Sequence, residues 1–153
     1  MEIFESATRP VIFSHSNPSA VWNHARNVSD TAIRACAATG GVVGINGIGP
    51  FLGENDVRTE TFIRHLDHVV NLVGADHVGI GLDYAFDQEE VQKFVKAHPE
   101  SYPPDKYPRG IAMIEPERMP EIAEFLLKRG YSEIDTRNIM GENHLRIARQ
   151  VWK

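Results

Sequence analysis

Cysteine is nearly absent: Cys36 is the only one among 153 residues, which excludes an internal disulfide and a thiolate metal cluster. A reducing, cytoplasmic compartment is expected. Long hydrophobic runs are absent too, and Met1 to Ser6 carries neither a basic n-region nor an apolar h-region, so neither a membrane span nor an export leader is expected. An excess of positive charge is also missing. Sixteen basic against twenty-one acidic residues leave a formal net charge of -5, so nothing electrostatic favours nucleic acid or an anionic membrane as partner. Small molecules or proteins are the expected partners. No internal repeat, low-complexity tract or linker divides the chain.

What is present is an ordinary globular composition, 42% hydrophobic and 24% charged. Pro10 to Phe13 reads as a buried strand running into the polar loop Ser14-His15-Ser16-Asn17-Pro18. Ser29 is a plausible N-cap for a helix through Ile33 and Cys36 that Gly40-Gly41 stops, and Val42 to Asn46 makes a second strand. Beyond the glycine-bearing loop 47–55, Phe62, Ile63, Leu66, Val69, Val70 and Val73 recur at helical spacing up to Gly74. In the third strand Val78, Ile80 and Leu82 share one face, while Gly79, Gly81 and Asp83 share the other and predict a crowded interior. Strand, helix, strand, helix, strand is the signature of parallel βαβ units.

A short helix is predicted near Glu89 to Val95. Pro99 to Arg109 is too rigid and polar for core and reads as an active-site or surface loop. Helices follow over Glu117 to Arg129, from a Ser132/Asp135 capping box to Met140, and beyond Gly141. The chain thus reads as one partial domain over 1–153: three βα-type units (10–83), a loop region (84–115) and C-terminal helices (116–153).

His15 and Asp83 both fall at C-terminal strand ends, where ligands and catalysts collect in parallel α/β folds. His15 is either a metal ligand or a histidine bonded to nearby backbone; Asp83 is either a metal- or proton-handling carboxylate or a helix cap or loop brace. Arg26 either clamps a carboxylate through two parallel bonds or is an exposed surface arginine. His65-Leu66-Asp67-His68 has metal-like spacing but lies mid-helix, away from the strand ends, and is expected to be structural. The glycines at 44–53 and 79–81 match neither a dinucleotide fingerprint nor a P-loop, so no nucleotide site is expected.

Several strings together resemble one family. They are Pro10-Val11-Ile12-Phe13-Ser14-His15-Ser16-Asn17, Arg26-Asn27-Val28 with the arginine eleven residues after His15, and Gly40-Gly41-Val42-Val43. His65-Leu66-Asp67-His68, Gly74-Ala75-Asp76-His77-Val78-Gly79-Ile80-Gly81-Leu82-Asp83, Arg129-Gly130-Tyr131-Ser132 and Gly141-Glu142-Asn143-His144-Leu145-Arg146 complete the set. In this order they are similar to the C-terminal part of the membrane (renal) dipeptidases. The resemblance implies a (β/α)₈ TIM-type barrel with a binuclear zinc site that hydrolyses dipeptides. It further implies His15 as a zinc ligand, Arg26 as the clamp on the substrate's terminal carboxylate, and Asp83 as the catalytic carboxylate that assists proton transfer. Leu82-Asp83-Tyr84-Ala85-Phe86-Asp87 looks like the bacterial branch rather than the Gly-Asp-Phe-Asp-Gly of eukaryotic members, which leaves the substrate range open.

The family's His-x-Asp pair, bridging glutamate and second histidine ligand are expected upstream of Pro10, and none of them is in this sequence. A full barrel takes eight strands, and a catalytic zinc about three protein ligands. The expectation is therefore the C-terminal part of a zinc dipeptidase, inactive in isolation and completed by an upstream barrel half or by self-association. The alternative is a non-catalytic α/β binding or scaffold subunit that assembles with a partner.

Overall fold

β-Branched residues bounded by turn formers give three short strands in the computed structural model, which describes residues 2–105, 107 and 110–152. After a five-residue helix α1 (Glu2–Ser6) come β1 (Ile12–Phe13), β2 (Val42–Ile45) and β3 (Val78–Ile80). They form one parallel sheet in the order β1-β2-β3, with Phe13 opposite Val43 and Val43 opposite Val78. All four residues of β2 are buried. Ile12 is 39% exposed, however, and among the described residues the strand expected to be buried is an edge strand with a neighbour on one side only.

Parallel pairing requires crossovers, and helices supply them. α2 (Asp30–Ala38) links β1 to β2; α3 (Gly49–Leu52) and α4 (Thr59–Val73) link β2 to β3. The Ser29 hydroxyl accepts the Ala32 N–H at 3.3 Å as the N-cap of α2, and Gly74, at φ 91°, ends α4 in a left-handed conformation that suits glycine.

Val43, Ile45 and Val78 pack against Ile33 and Cys36 of α2 and Phe62, Ile63, Leu66 and Val69 of α4. Each fully buried large side chain contributes about 1.5–3 kcal/mol. Since side chains alternate along a strand, the opposite face carries Val42, Gly44, Gly79 and Gly81.

The predicted crowding on that face comes from this chain itself. The His144 ring lies against Gly79, and the Ser14 carbonyl and the His15 Cα lie against Gly81, so neither glycine has room for a side chain. His144 belongs to the C-terminal helices α6 (Met119–Lys128), α7 (Glu133–Arg137) and α8 (Asn143–Val151). Burial lowers its imidazole pKa. Asn143 Nδ2 donates to Ala75 O and Val78 O at 2.8 Å each, and the Arg146 guanidinium donates to Gly40 O (3.1 Å) and Asp76 O (2.8 Å), which seats α8 at the N-terminal ends of β2 and β3. The helix expected from Ser132 to Met140 is shorter. It passes at Asn138–Glu142 into a π-type turn, where Gly141 leaves helical geometry.

α4 resolves the His65/His68 pair. His65 is fully buried and its Nε2 donates to Leu52 O at 2.8 Å; His68 Nε2 pairs with Asp30 Oδ1 at 2.8 Å. They face different partners, as a structural role requires. Burial pushes the His65 pKa down to about 4, below the 6.5 of an exposed imidazole. The unfolded chain therefore binds the proton more readily between these values, and stability falls as pH drops from about 6.5 towards 4, by up to about 3 kcal/mol. Urea unfolding across that interval is expected to show the loss, and His65→Leu to flatten it; an equally steep profile in the variant would rule His65 out.

After β3 the chain leaves the sheet through α5 (Gln88–Ala97), two residues longer at its C-terminal end than the predicted core of that helix. It returns to the end of β2, where Gly49 N–H donates to Ala112 O and Ile114 N–H to Gly47 O. Of the proline-rich stretch Pro99–Arg109, Lys106, Pro108 and Arg109 lie outside the described residues. Tyr102 and Tyr107 pack on a small cluster of Ile48, Val95 and Ile111, an aromatic packing that the polarity of the stretch concealed.

Candidate active site

Because the three strands are parallel, their C-terminal ends share one edge, and the loops leaving them meet there. Ser14-His15 leaves β1, Asn46 follows β2, and Asp83 lies three residues beyond β3. The ladder continues past the strands: Ser16 N–H donates to Gly44 O (2.8 Å), Gly81 N–H to Ile45 O (3.0 Å) and Gly47 N–H to Leu82 O (3.1 Å). His15 thereby crosses directly over Gly81, two residues before Asp83.

His15 is partly buried, and its Nδ1 bonds the Ser14 hydroxyl at 2.8 Å, not the backbone. That contact orients the ring and leaves Nε2 without a hydrogen-bond partner among the described residues. Asp83 is exposed and takes φ 59°, an uncommon left-handed conformation for a residue with a side chain. Strain of this kind concentrates at functional sites. Asp83 caps no helix; Asp87 does so for α5, its carboxylate accepting the Glu90 N–H at 2.9 Å. Asn46 Nδ2 donates to Asp83 Oδ2 at 3.2 Å.

Arg26 comes from the loop before α2. Its guanidinium lies over the Phe51 ring, 5.6 Å from the centroid, and its backbone N–H donates to His24 Nδ1 at 3.1 Å. Phe51 is in turn held by the Asn27 and Asn17 side-chain amides, which donate to its carbonyl at 2.9 and 3.3 Å. Among the described residues no carboxylate lies within ion-pair distance of Arg26. The stacked, exposed cation is free to take an anion.

Arg26 and Asp83 line the same cavity, of about 1050 Å³, with Phe51, Phe94, Tyr102 and Met113 as apolar walls. That is the size and character of a small-molecule site: largely apolar, with a few converging polar groups. His15 is not among its lining residues. The structure brings two of the three candidates into one cavity and sets the third beside it on the same strand edge.

The donor set does not hold a metal by itself. Among the described residues no three His, Cys, Asp or Glu side chains come together, and His15 contributes one free nitrogen where a catalytic zinc takes about three protein ligands. Cys36 offers nothing here, since burial raises its thiol pKa and its Sγ contacts Val11 O at 3.1 Å within the core. Sequence reasoning overlooked Asn46, Asn17 and Phe51. Asn46 was legible by the rule that singled out His15 and Asp83, being a polar residue at the C-terminal end of a parallel strand; Phe51 was not, because a loop phenylalanine announces no partner.

Known proteins resemble this chain over nearly all its length. It is 30% identical to an uncharacterized protein in the pqqA 5′ region of Klebsiella pneumoniae, over 96% of this chain and 49% of that protein. It is likewise 30% identical to the dipeptidase tcpJ of Claviceps purpurea, over 99% of this chain and 32% of that one. An amidohydrolase from Pseudomonas aeruginosa superposes with a TM-score of 0.80 at 32% identity, covering 99% of this chain and 48% of its own. A metallopeptidase from Rhodobacter sphaeroides, liganded with a phosphinate mimic of the dipeptide L-Ala-D-Ala, superposes at 0.72 with 25% identity, covering 99% and 39%. The chain thus spans half or less of the length of these relatives, and its three parallel strands with their crossover helices form part of the TIM-type barrel of the dipeptidases. Residues 1–99 match the model of membrane dipeptidase, peptidase family M19, and the chain belongs to that family of metallopeptidases.

Proposed function

We propose that this chain forms the substrate-orienting half of a zinc-dependent dipeptidase site, inactive alone and completed by an N-terminal barrel half. The observation that carries the reading is that Arg26, without an ion-pair partner among the described residues, lines the same cavity as Asp83. A dipeptide has its terminal carboxylate one residue from the scissile amide. Arg26 grips that carboxylate through two parallel N–H bonds, and a substrate without it nearby is poorly held. The dipeptide mimic bound to the Rhodobacter sphaeroides relative supports the same substrate class.

His15 Nε2 would supply one ligand of the metal, its ring set by Ser14. Zinc, when bound, supplies carbonyl polarisation and an activated water. Asp83 assists proton transfer to the amine nitrogen as the C–N bond breaks and water oxygen bonds the carbonyl carbon. The apolar walls receive the substrate's side chains. A reducing, cytoplasmic setting is part of the proposal, on the single buried Cys36.

Metal analysis and dipeptide hydrolysis test it, on the chain alone and mixed with the N-terminal half of a relative. Alone, neither stoichiometric zinc nor turnover is expected. The mixture is expected to retain about two zinc ions and hydrolyse dipeptides, and His15→Ala to lose metal and activity together. Turnover by the chain alone would overturn its inactivity. Absence of hydrolysis in a stable mixed complex would favour the non-catalytic scaffold, whose support is that β1 and β3 each pair only with β2 and keep a free edge among the described residues.

A further inference from the structure

Asn46 is 1% exposed, and each polar group of its side chain has a partner. Its Oδ1 accepts the Ile48 N–H at 2.6 Å, and its Nδ2 donates to Asp83 Oδ2 at 3.2 Å. The amide orientation is forced, because a backbone N–H can only donate: the oxygen must face Ile48, which turns the NH₂ group towards the carboxylate. The Asn46 backbone is itself gripped on both sides. Its N–H donates to Asn17 Oδ1 at 3.0 Å, and its carbonyl accepts from Asn17 Nδ2 at 3.2 Å. Asn17 is fully buried and also ties down Phe51, on which Arg26 stacks.

Asp83 itself has little to hold it. It is exposed, sits beyond the end of β3 in a left-handed conformation, and among the described residues Asn46 is its only side-chain partner. An exposed aspartate on such a turn would otherwise sample its rotamers freely.

We infer that Asn46 is a positioning residue: through the pair Asn17–Asn46 it fixes the carboxylate of Asp83 over the cavity and sets it in register with the Arg26 platform. The inference rests on the dipeptidase reading for its kinetic consequence, but the fixed carboxylate is measurable without it. Proton transfer depends on geometry at the level of an ångström, whereas the terminal carboxylate of the substrate is held elsewhere. Loss of Asn46 should therefore appear in kcat and spare KM.

Asn46→Asp separates this role from a merely structural one. It keeps an acceptor for the Ile48 N–H and replaces the donor by a second carboxylate, which in alkaline buffer repels Asp83. In the completed enzyme kcat for a dipeptide is expected to fall about 10- to 100-fold with KM within about threefold, and thermal unfolding of the variant to remain cooperative. Retained kcat, or a loss shared between kcat and KM, would overturn the inference. In the chain alone, side-chain scalar couplings should report one χ1 rotamer for Asp83 and averaged rotamers in Asn46→Asp. Averaging already in the parent chain, or no change in the variant, would overturn it whatever the activity. If the completed parent enzyme shows no turnover, the dipeptidase reading fails while the couplings still decide the role of Asn46.

Discussion

Replacing Arg26 by alanine in the completed enzyme is expected to lower kcat/KM for a free dipeptide by about 100-fold, mainly through KM, a loss of about 2.7 kcal/mol. Two charge-assisted bonds to a substrate carboxylate inside a partly apolar cavity are of that order. The decisive comparison is a dipeptide amide. It offers no terminal carboxylate, so the parent enzyme should handle it poorly and Arg26→Ala should leave it within about threefold. Arg26→Lys should recover part of the charge but not the fork, and fall between the two. If both substrates lost activity equally, Arg26 would be bracing its loop through the Phe51 contact, and the carboxylate-clamp role would be lost.

Gly81→Ala is expected to destabilise the chain by about 3 kcal/mol, roughly a 6–12 °C drop in melting temperature. A Cβ at this position would overlap the Ser14 carbonyl and lie 3.2 Å from the His15 Cα. Both obstacles are backbone, so no rotamer change relieves them; either the ladder between β2 and β3 loosens or the Ser14-His15 segment lifts. The second route also displaces the His15 ring, so any variant that folds with the N-terminal half should hold zinc less firmly. Gly53→Ala is the control. Its backbone is extended and its Cβ would meet only the Asp56 side chain at 3.8 Å, so a change within about 0.5 kcal/mol is expected. Equal melting temperatures for Gly81→Ala and the parent would show that the loop from β1 does not lie against β3 as described.

Much of the architecture was legible because its signals are local. Apolar spacing from Phe62 to Val73 defined α4, Ser29 capped α2, and glycines 40, 74 and 130 stopped helices at positive φ. The same locality explains the errors. Pro10 to Phe13 looks buried by composition, yet burial of Ile12 depends on which strands lie alongside, and among the described residues only β2 does. A helix to Met140 follows from the Ser132 cap, but the chain bends at Gly141 to deliver Asn143 and Arg146 to carbonyls near residues 75–78 and to Gly40. No sequence window contains both ends of those bonds.

By itself the sequence determined the family and the βαβαβ order and named three candidate residues, since each rests on a contiguous string or on the rule that parallel strands end at one edge. Tertiary structure alone decided that Arg26 and Asp83 share a cavity while His15 stands beside it, that Phe51 carries the arginine, and that Asn46 holds the aspartate. The reason is physical: these residues lie 25 to 57 positions apart, so they come together only once α2 and α4, packed on one face of the sheet, have set the loop ends against one another.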